Sequence, residues 1–136
     1  MQRKKVIFSV VLFIFVIGFA GCNLFERESD ERTIDYTVIS ENDVPDELKA
    51  QIESGKSGVM KFTYTDDEYL YIVKGYGTQK YGGYSIKMVQ FYAKDKALYF
   101  ETELIEPEEG EKVSKENSEP FIIIKTEKTD LPVVFK

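Results

Sequence analysis

Between residues 98 and 104 the chain alternates. Leu98, Phe100, Thr102 and Leu104 fall on one side, and Tyr99, Glu101 and Glu103 on the other. A period of two with one wet side predicts a β-strand whose other side is buried. Strand-like stretches account for most of the remaining chain. Thr33 to Ile39 is β-branched and aromatic and predicts a first strand. Val59 to Thr65 alternates loosely. The turn residues Asp66-Asp67-Glu68 separate it from a further strand at Tyr69 to Lys74. Tyr84 to Tyr92 predicts a longer strand that ends in a polar hairpin tip at Ala93-Lys94-Asp95-Lys96. Pro120-Phe121-Ile122-Ile123-Ile124-Lys125 is almost continuously apolar, which predicts a central strand. Leu131 to Phe135 closes the chain.

One segment has a different period. Val44, Leu48 and Ile52 recur every four residues and make a single apolar stripe. Asn42-Asp43-Val44-Pro45-Asp46-Glu47 puts a proline and acidic residues where a helix begins, and Gly55 ends it. A helix of about ten residues is too short to stand alone, so it is expected to lie on the sheet. Six or seven strands and one short helix predict an all-β domain. The architecture expected is a mainly antiparallel sandwich or partly open barrel. No internal repeat or low-complexity segment interrupts it.

The N-terminus has its own pattern. Met1 to Lys5 is basic, and Val6 to Gly21 carries no charge and one polar side chain, Ser9. That run of 16 residues is short for a spanning helix, which needs about 20. A basic head, an apolar centre and small residues at the end describe a secretory signal. Phe19-Ala20-Gly21-Cys22 is similar to a bacterial lipobox, with Phe19 at the position where leucine is usual. Cys22 is the sole cysteine of the chain, and its place directly after Ala-Gly outweighs the reading as a buried free thiol. The expectation is a lipoprotein signal peptide at 1–21 and a lipidated Cys22. A tether at 22–32 and a β domain at 33–136 would follow. The protein would then sit lipid-anchored on the extracytoplasmic face of a bacterial membrane. The alternative is an uncleaved N-terminal anchor.

Charge narrows the partners. Of 18 basic residues, removal of the leader takes Arg3, Lys4 and Lys5, leaving 15 against 24 acidic residues, a net charge of −9. Such a surface repels nucleic acid and anionic lipid headgroups, so acyl chains must supply the membrane anchor. With Cys22 modified, no cysteine remains for a disulfide, and the core alone must hold the fold.

Residue types also limit the chemistry. The chain has no histidine, which removes Ser-His-Asp and Cys-His catalysis and the common zinc sites. Glu101 and Glu103 could act as a glycosidase pair, but on an alternating strand a solvated face explains them more simply. Asp66-Asp67-Glu68 and Glu106 to Glu111 lack the spacing of a calcium loop. The expectation is a binding module rather than an enzyme, with no cofactor and no metal.

The stretch best suited to binding is Gly75-Tyr76-Gly77-Thr78-Gln79-Lys80-Tyr81-Gly82-Gly83-Tyr84. It holds four of the nine glycines and three of the nine tyrosines. Glycine admits unusual backbone paths, and tyrosine offers a rigid apolar face with a polar tip. Between two strands this reads as a shaped loop; the plainer reading is a long hairpin turn with glycine bulges. A second loop, Glu106 to Glu119, is strongly acidic and contains Pro107 and Gly110.

Val44-Pro45-Asp46-Glu47-Leu48, Gly75-Tyr76-Gly77-Thr78, Gly82-Gly83-Tyr84-Ser85-Ile86, Pro107 and Pro120-Phe121 together resemble the PrcB C-terminal-domain family over about residues 34 to 136. In the family signature Thr-x-Gly-Gly-Tyr-Ser-Ile the threonine lies closer to the glycines. Here Gln79-Lys80-Tyr81 separates Thr78 from Gly82. The resemblance implies a small exported lipoprotein, and its namesake is an accessory subunit of a surface serine protease. The loops are also similar to those of chagasin-type inhibitors, Ig-like sandwiches that plug cysteine proteases, although this chain has no tryptophan. The partner expected is therefore an exported protein, a protease being one candidate. Gly75, Tyr76, Gly77, Thr78, Tyr81, Gly82, Gly83 and Tyr84 would form the binding loop. Pro107, Gly110, Pro120 and Phe121 would belong to the second. A protease inhibitor and a carbohydrate or cell-wall binder are the alternatives.

Overall fold

The computed structural model describes residues 30–136. The expected signal peptide, the lipidation site Cys22 and residues 22–29 of the expected tether lie outside the described residues.

Eight strands and one α-helix follow in chain order. They are β1 (Arg32–Thr33), β2 (Thr37–Ile39), α1 (Asp46–Gly55), β3 (Val59–Thr65), β4 (Tyr69–Tyr76), β5 (Ser85–Lys94), β6 (Ala97–Ile105), β7 (Phe121–Glu127) and β8 (Val133–Phe135). Two four-stranded sheets result, ordered β1-β5-β6-β8 and β2-β7-β4-β3. Every pairing is antiparallel except β6 with β8. The expected all-β architecture takes the form of two open sheets packed face to face, not a closed barrel.

The sheets meet over Leu70, Ile72, Ile122 and Ile124 from one side and Phe91, Ala93, Leu98 and Phe100 from the other. Phe100 is wholly buried, with its ring edge-on to Phe91 at 6.1 Å and to Phe135 at 5.7 Å. A second cluster lies on the outer face of the β2-β7-β4-β3 sheet, where Val44, Leu48 and Ile52 cover Met60, Tyr71, Val73 and Ile123. The molecule therefore has three layers: helix, sheet, sheet. The unbroken apolar runs at 70–73 and 122–124 follow from this arrangement, because β4 and β7 are covered on both faces. The helix obeys its sequence signals, with Pro45 before it, Asp46 and Glu47 in its first turn, and Leu48 and Ile52 fully buried.

Three expectations require correction. The single strand expected at Thr33 to Ile39 is two short ones in different sheets, which raises the count to eight. Between them Ile34 turns into the core and the Asp35 carbonyl accepts a hydrogen bond of 2.7 Å from Thr126 Oγ1. That break carries the chain from one sheet to the other. The strand beginning at Tyr69 continues to Tyr76, so Gly75 and Tyr76 belong to β4 and not to a loop. The hairpin tip is only Asp95-Lys96, with φ of 50° and 64°. This suits a tight two-residue turn with both residues left-handed; Ala93 is buried within β5.

One buried charge stands out. Lys74 is 6% exposed on β4. Its Nζ donates to the Lys136 carbonyl at 3.0 Å and lies 5.3 Å from the Tyr76 ring centre. Beside it the Tyr76 hydroxyl hydrogen-bonds Thr102 Oγ1. This small polar cluster satisfies the inward groups where the sandwich ends and ties the chain's last residue to a central strand.

Candidate interaction surface

The two sequence-predicted loops lie side by side and hold each other. Gln79 and Ser118 form an isolated antiparallel bridge, each N–H donating to the other's carbonyl at 2.7 and 3.1 Å. Gly82 N–H donates to the Ser114 carbonyl at 2.8 Å, and Ser118 Oγ donates to the Tyr81 carbonyl at 2.7 Å. Gly83, at φ +85°, lies against Val113 and Pro107. A loop without internal secondary structure is thereby given partners for its backbone, as polar main-chain groups require.

The near end of the glycine loop is fixed as well. Thr78 N–H and Oγ1 both donate to the Ser57 carbonyl, each at 3.1 Å, in the turn that follows α1. Gly77, at φ +75°, comes close to that turn, where a β-carbon would stand 3.3 Å from the Gly58 carbonyl carbon. Glycine is suited to this position both by its φ and by the approach.

Placement separates the sequence-predicted residues into two groups. Gly77, Thr78, Tyr81, Gly82, Gly83, Tyr84, Pro107 and Gly110 come together at one end of the sandwich. Gly75 and Tyr76 lie in β4 beneath them: Gly75 is buried between Met60 and Phe121, and Tyr76 points to Thr102. Pro120 accepts a 3.0 Å hydrogen bond from Tyr76 N–H, and Phe121 opens β7, half-buried against the helix-side cluster. These four support the loops from below. Gly110, at φ +84° with open space around it, forms the tip of the acidic loop.

Tyr81 and the segment 107–115 wall an open cleft of about 540 Å³. Its rim carries Glu108, Glu109 and Glu111 on one stretch and Lys112 and Lys115 on the next. The Tyr81 and Tyr84 rings lie 5.3 Å apart and tilted by 32°. The neighbouring Tyr81 hydroxyl, with some desolvation, pushes the Tyr84 hydroxyl up to about 12, so this phenol is neutral in ordinary buffers. A rigid aromatic pair beside a mixed-charge rim can bind a polypeptide segment. Sequence reading missed the contribution of Val113, Ser114 and Ser118. They form the clip, yet nothing in their local pattern signals a long-range pairing.

The carboxylates considered for catalysis have other surroundings. Glu101 and Glu103 lie on the outer face of β6, in register with Gln90 and Lys87. Asp66 is part of the β3–β4 turn. Its Oδ1 accepts from the N–H groups of Tyr69 and Glu68 at 2.7 and 2.9 Å, and its Oδ2 from the Tyr71 hydroxyl at 3.1 Å. The backbone N–H groups of Tyr69 and Glu68 hold this carboxyl below its ordinary value. Burial, then Asp66, pushes Tyr71 up to about 12. Among the described residues no group of three or more His, Cys, Asp or Glu is placed to hold a metal.

The molecule is thus a two-sheet sandwich whose two long loops are clipped to each other. Residues 70–127 match the family model described as PrcB C-terminal, which supports the resemblance seen in the sequence. The match starts at Leu70 in β4 and ends with β7, enclosing both loops and the β5–β6 hairpin. No curated protein and no solved structure matches the chain.

Proposed function

We propose that this protein is a non-enzymatic binding module, lipid-anchored through Cys22 on the extracytoplasmic face of a bacterial membrane. Its partner is another exported protein. A protease is the first class to test, since the resemblance implies an accessory subunit. The observation that supports this reading most directly is the pairing of the two loops. The Gln79–Ser118 bridge, the Gly82–Ser114 bond and the Gly83–Val113 contact hold an aromatic and mixed-charge surface in one shape. A surface ordered before binding loses less entropy on association.

The test is capture from intact membranes with a photo-crosslinking residue in place of Lys112, followed by mass spectrometry. An exported protease or another exported protein should be recovered, and the same residue in place of Lys96, at the β5–β6 hairpin tip on the opposite end of these strands, should not recover it. Equal recovery from both positions would remove the loops as the recognition surface. Adding the purified protein to a captured protease separates an accessory subunit, which leaves cleavage intact, from an inhibitor, which abolishes it at one equivalent.

A further inference from the structure

Three of the four sheet edges are very short: β1 has two residues, and β2 and β8 three each. The fourth, β3, has seven. Natural sheets blunt a long edge with proline, bulges, charges or a covering element. β3 has no proline, its register to β4 is unbroken from Val59 to Thr65, and Lys61 is its single charge.

The direction of its free backbone groups can be derived. Asp66 N–H donates to the Tyr69 carbonyl, so that pair is hydrogen-bonded. Bonded and non-bonded pairs alternate along an antiparallel ladder. Tyr64, Phe62 and Met60 therefore bond to β4, and Thr65, Thr63, Lys61 and Val59 turn their N–H and C=O groups outward. An independent bond agrees, because Tyr76, the partner of Val59, directs its N–H to Pro120 on the other side. The side chains of all four outward residues are exposed, Val59 by 71%.

We propose that this edge pairs antiparallel with the same edge of a second copy, about a two-fold axis through Thr63, joining two sheets into one of eight strands. In that register Thr63 faces Thr63 of the other copy, and Lys61 faces Thr65 with the acidic Asp66-Asp67 turn next along. Phe62, half-buried on the helix side, falls opposite Tyr64 at a non-bonded position, where side chains approach most closely. No like charges oppose each other. A register centred on Lys61 would place lysine against lysine, whereas one centred on Thr63 brings each Lys61 beside the other copy's Asp66-Asp67 turn. About six main-chain hydrogen bonds would form. The acidic net charge weakens such a pairing, and confinement to one membrane raises the effective concentration that favours it.

The register makes the test specific. Across the proposed axis the two Thr63 Cα atoms lie about 5.5 Å apart, within the range of about 4.4–6.8 Å that a disulfide spans. Full-length chain carrying Thr63→Cys is expressed in cells, oxidised mildly and run on a non-reducing gel. A dimer band is expected for Thr63→Cys, restored for the double variant Lys61→Cys with Thr65→Cys, and lost for Lys61→Cys alone. The unsubstituted chain reports any band due to Cys22. Equal bands for Thr63→Cys and Lys61→Cys, no band above that of the unsubstituted chain, or a cross-link to a protein of different mass would each overturn pairing with a second copy. Thr63 is exposed and its N–H is not used by β4, so far-ultraviolet circular dichroism should confirm that the variant folds.

Discussion

Gly83 and Val113 are packed so closely that a β-carbon on Gly83 would overlap Val113 Cγ1. The same carbon would stand 3.1 Å from Pro107 Cβ. This contact is where the glycine loop and the acidic loop meet. Gly83→Ala should therefore strain the backbone at φ +85° and push the loops apart, lowering stability by about 1–3 kcal/mol. Adding Val113→Ala should recover the steric part and leave the part due to φ. Urea midpoints of the two single variants and the double variant give the coupling directly. Strict additivity would mean that the contact is not made in solution.

Phe100 tests the core. It is wholly buried and touches both Phe91 and Phe135 edge-on. Phe100→Ala should cost about 3–5 kcal/mol. The neighbouring Tyr99 faces outward and stacks on Tyr92 at 5.2 Å; Tyr99→Ala should cost far less, within about 1 kcal/mol. Similar losses for the two would contradict the facing of β6.

The facing of β6 was legible because its alternation is strict from Leu98 to Leu104. The helix was legible from Val44, Leu48 and Ile52, and the centrality of β7 from Ile122 to Ile124. All three depend on local periodicity imposed by one burial surface. What the sequence did not reveal depends on distant partners. Thr33 to Ile39 has strand composition throughout, and only the packing of Ile34 and the Thr126–Asp35 bond divides it between two sheets. Gly75 looked like the start of a loop, because glycine usually weakens a strand. In the structure it makes room for Met60 and Phe121. The two candidate loops could be named from glycine, tyrosine and proline content, but the clip between them joins residues such as Gln79 and Ser118 that carry no signal in isolation.

Asp66 should shape the acid limb of stability. Its folded-state pKa is held down by the N–H groups of Tyr69 and Glu68. The unfolded chain thus takes up the proton first as pH falls. The stabilisation is present above the ordinary value of 3.8 and is lost as pH drops through the lower folded value. Asp66→Asn should lower the thermal midpoint at pH 7, and the gap to the parent protein should narrow between pH 4 and the lower folded value. A gap that stays constant across this range would show that the carboxylate contributes only through its shape.

Tyr81 carries the functional reading. Its carbonyl is held by Ser118 Oγ, and its ring lies beside Tyr84 at the wall of the cleft. Replacement by alanine keeps the backbone bond and removes the ring, so Tyr81→Ala should shift the thermal midpoint little. Binding energy at interfaces concentrates in a few tyrosine, tryptophan or arginine residues worth about 2 kcal/mol or more, which corresponds to a loss of roughly thirtyfold in affinity. Tyr92→Ala, on the outer face of the other sheet, provides the control. It removes an equally aromatic side chain far from the loops and should leave binding unchanged. Affinities of the three proteins for the captured partner, measured by calorimetry or interferometry, decide the matter. If Tyr81→Ala binds as tightly as the parent protein, the paired loops are a structural clasp and the partner is recognised elsewhere on the sandwich.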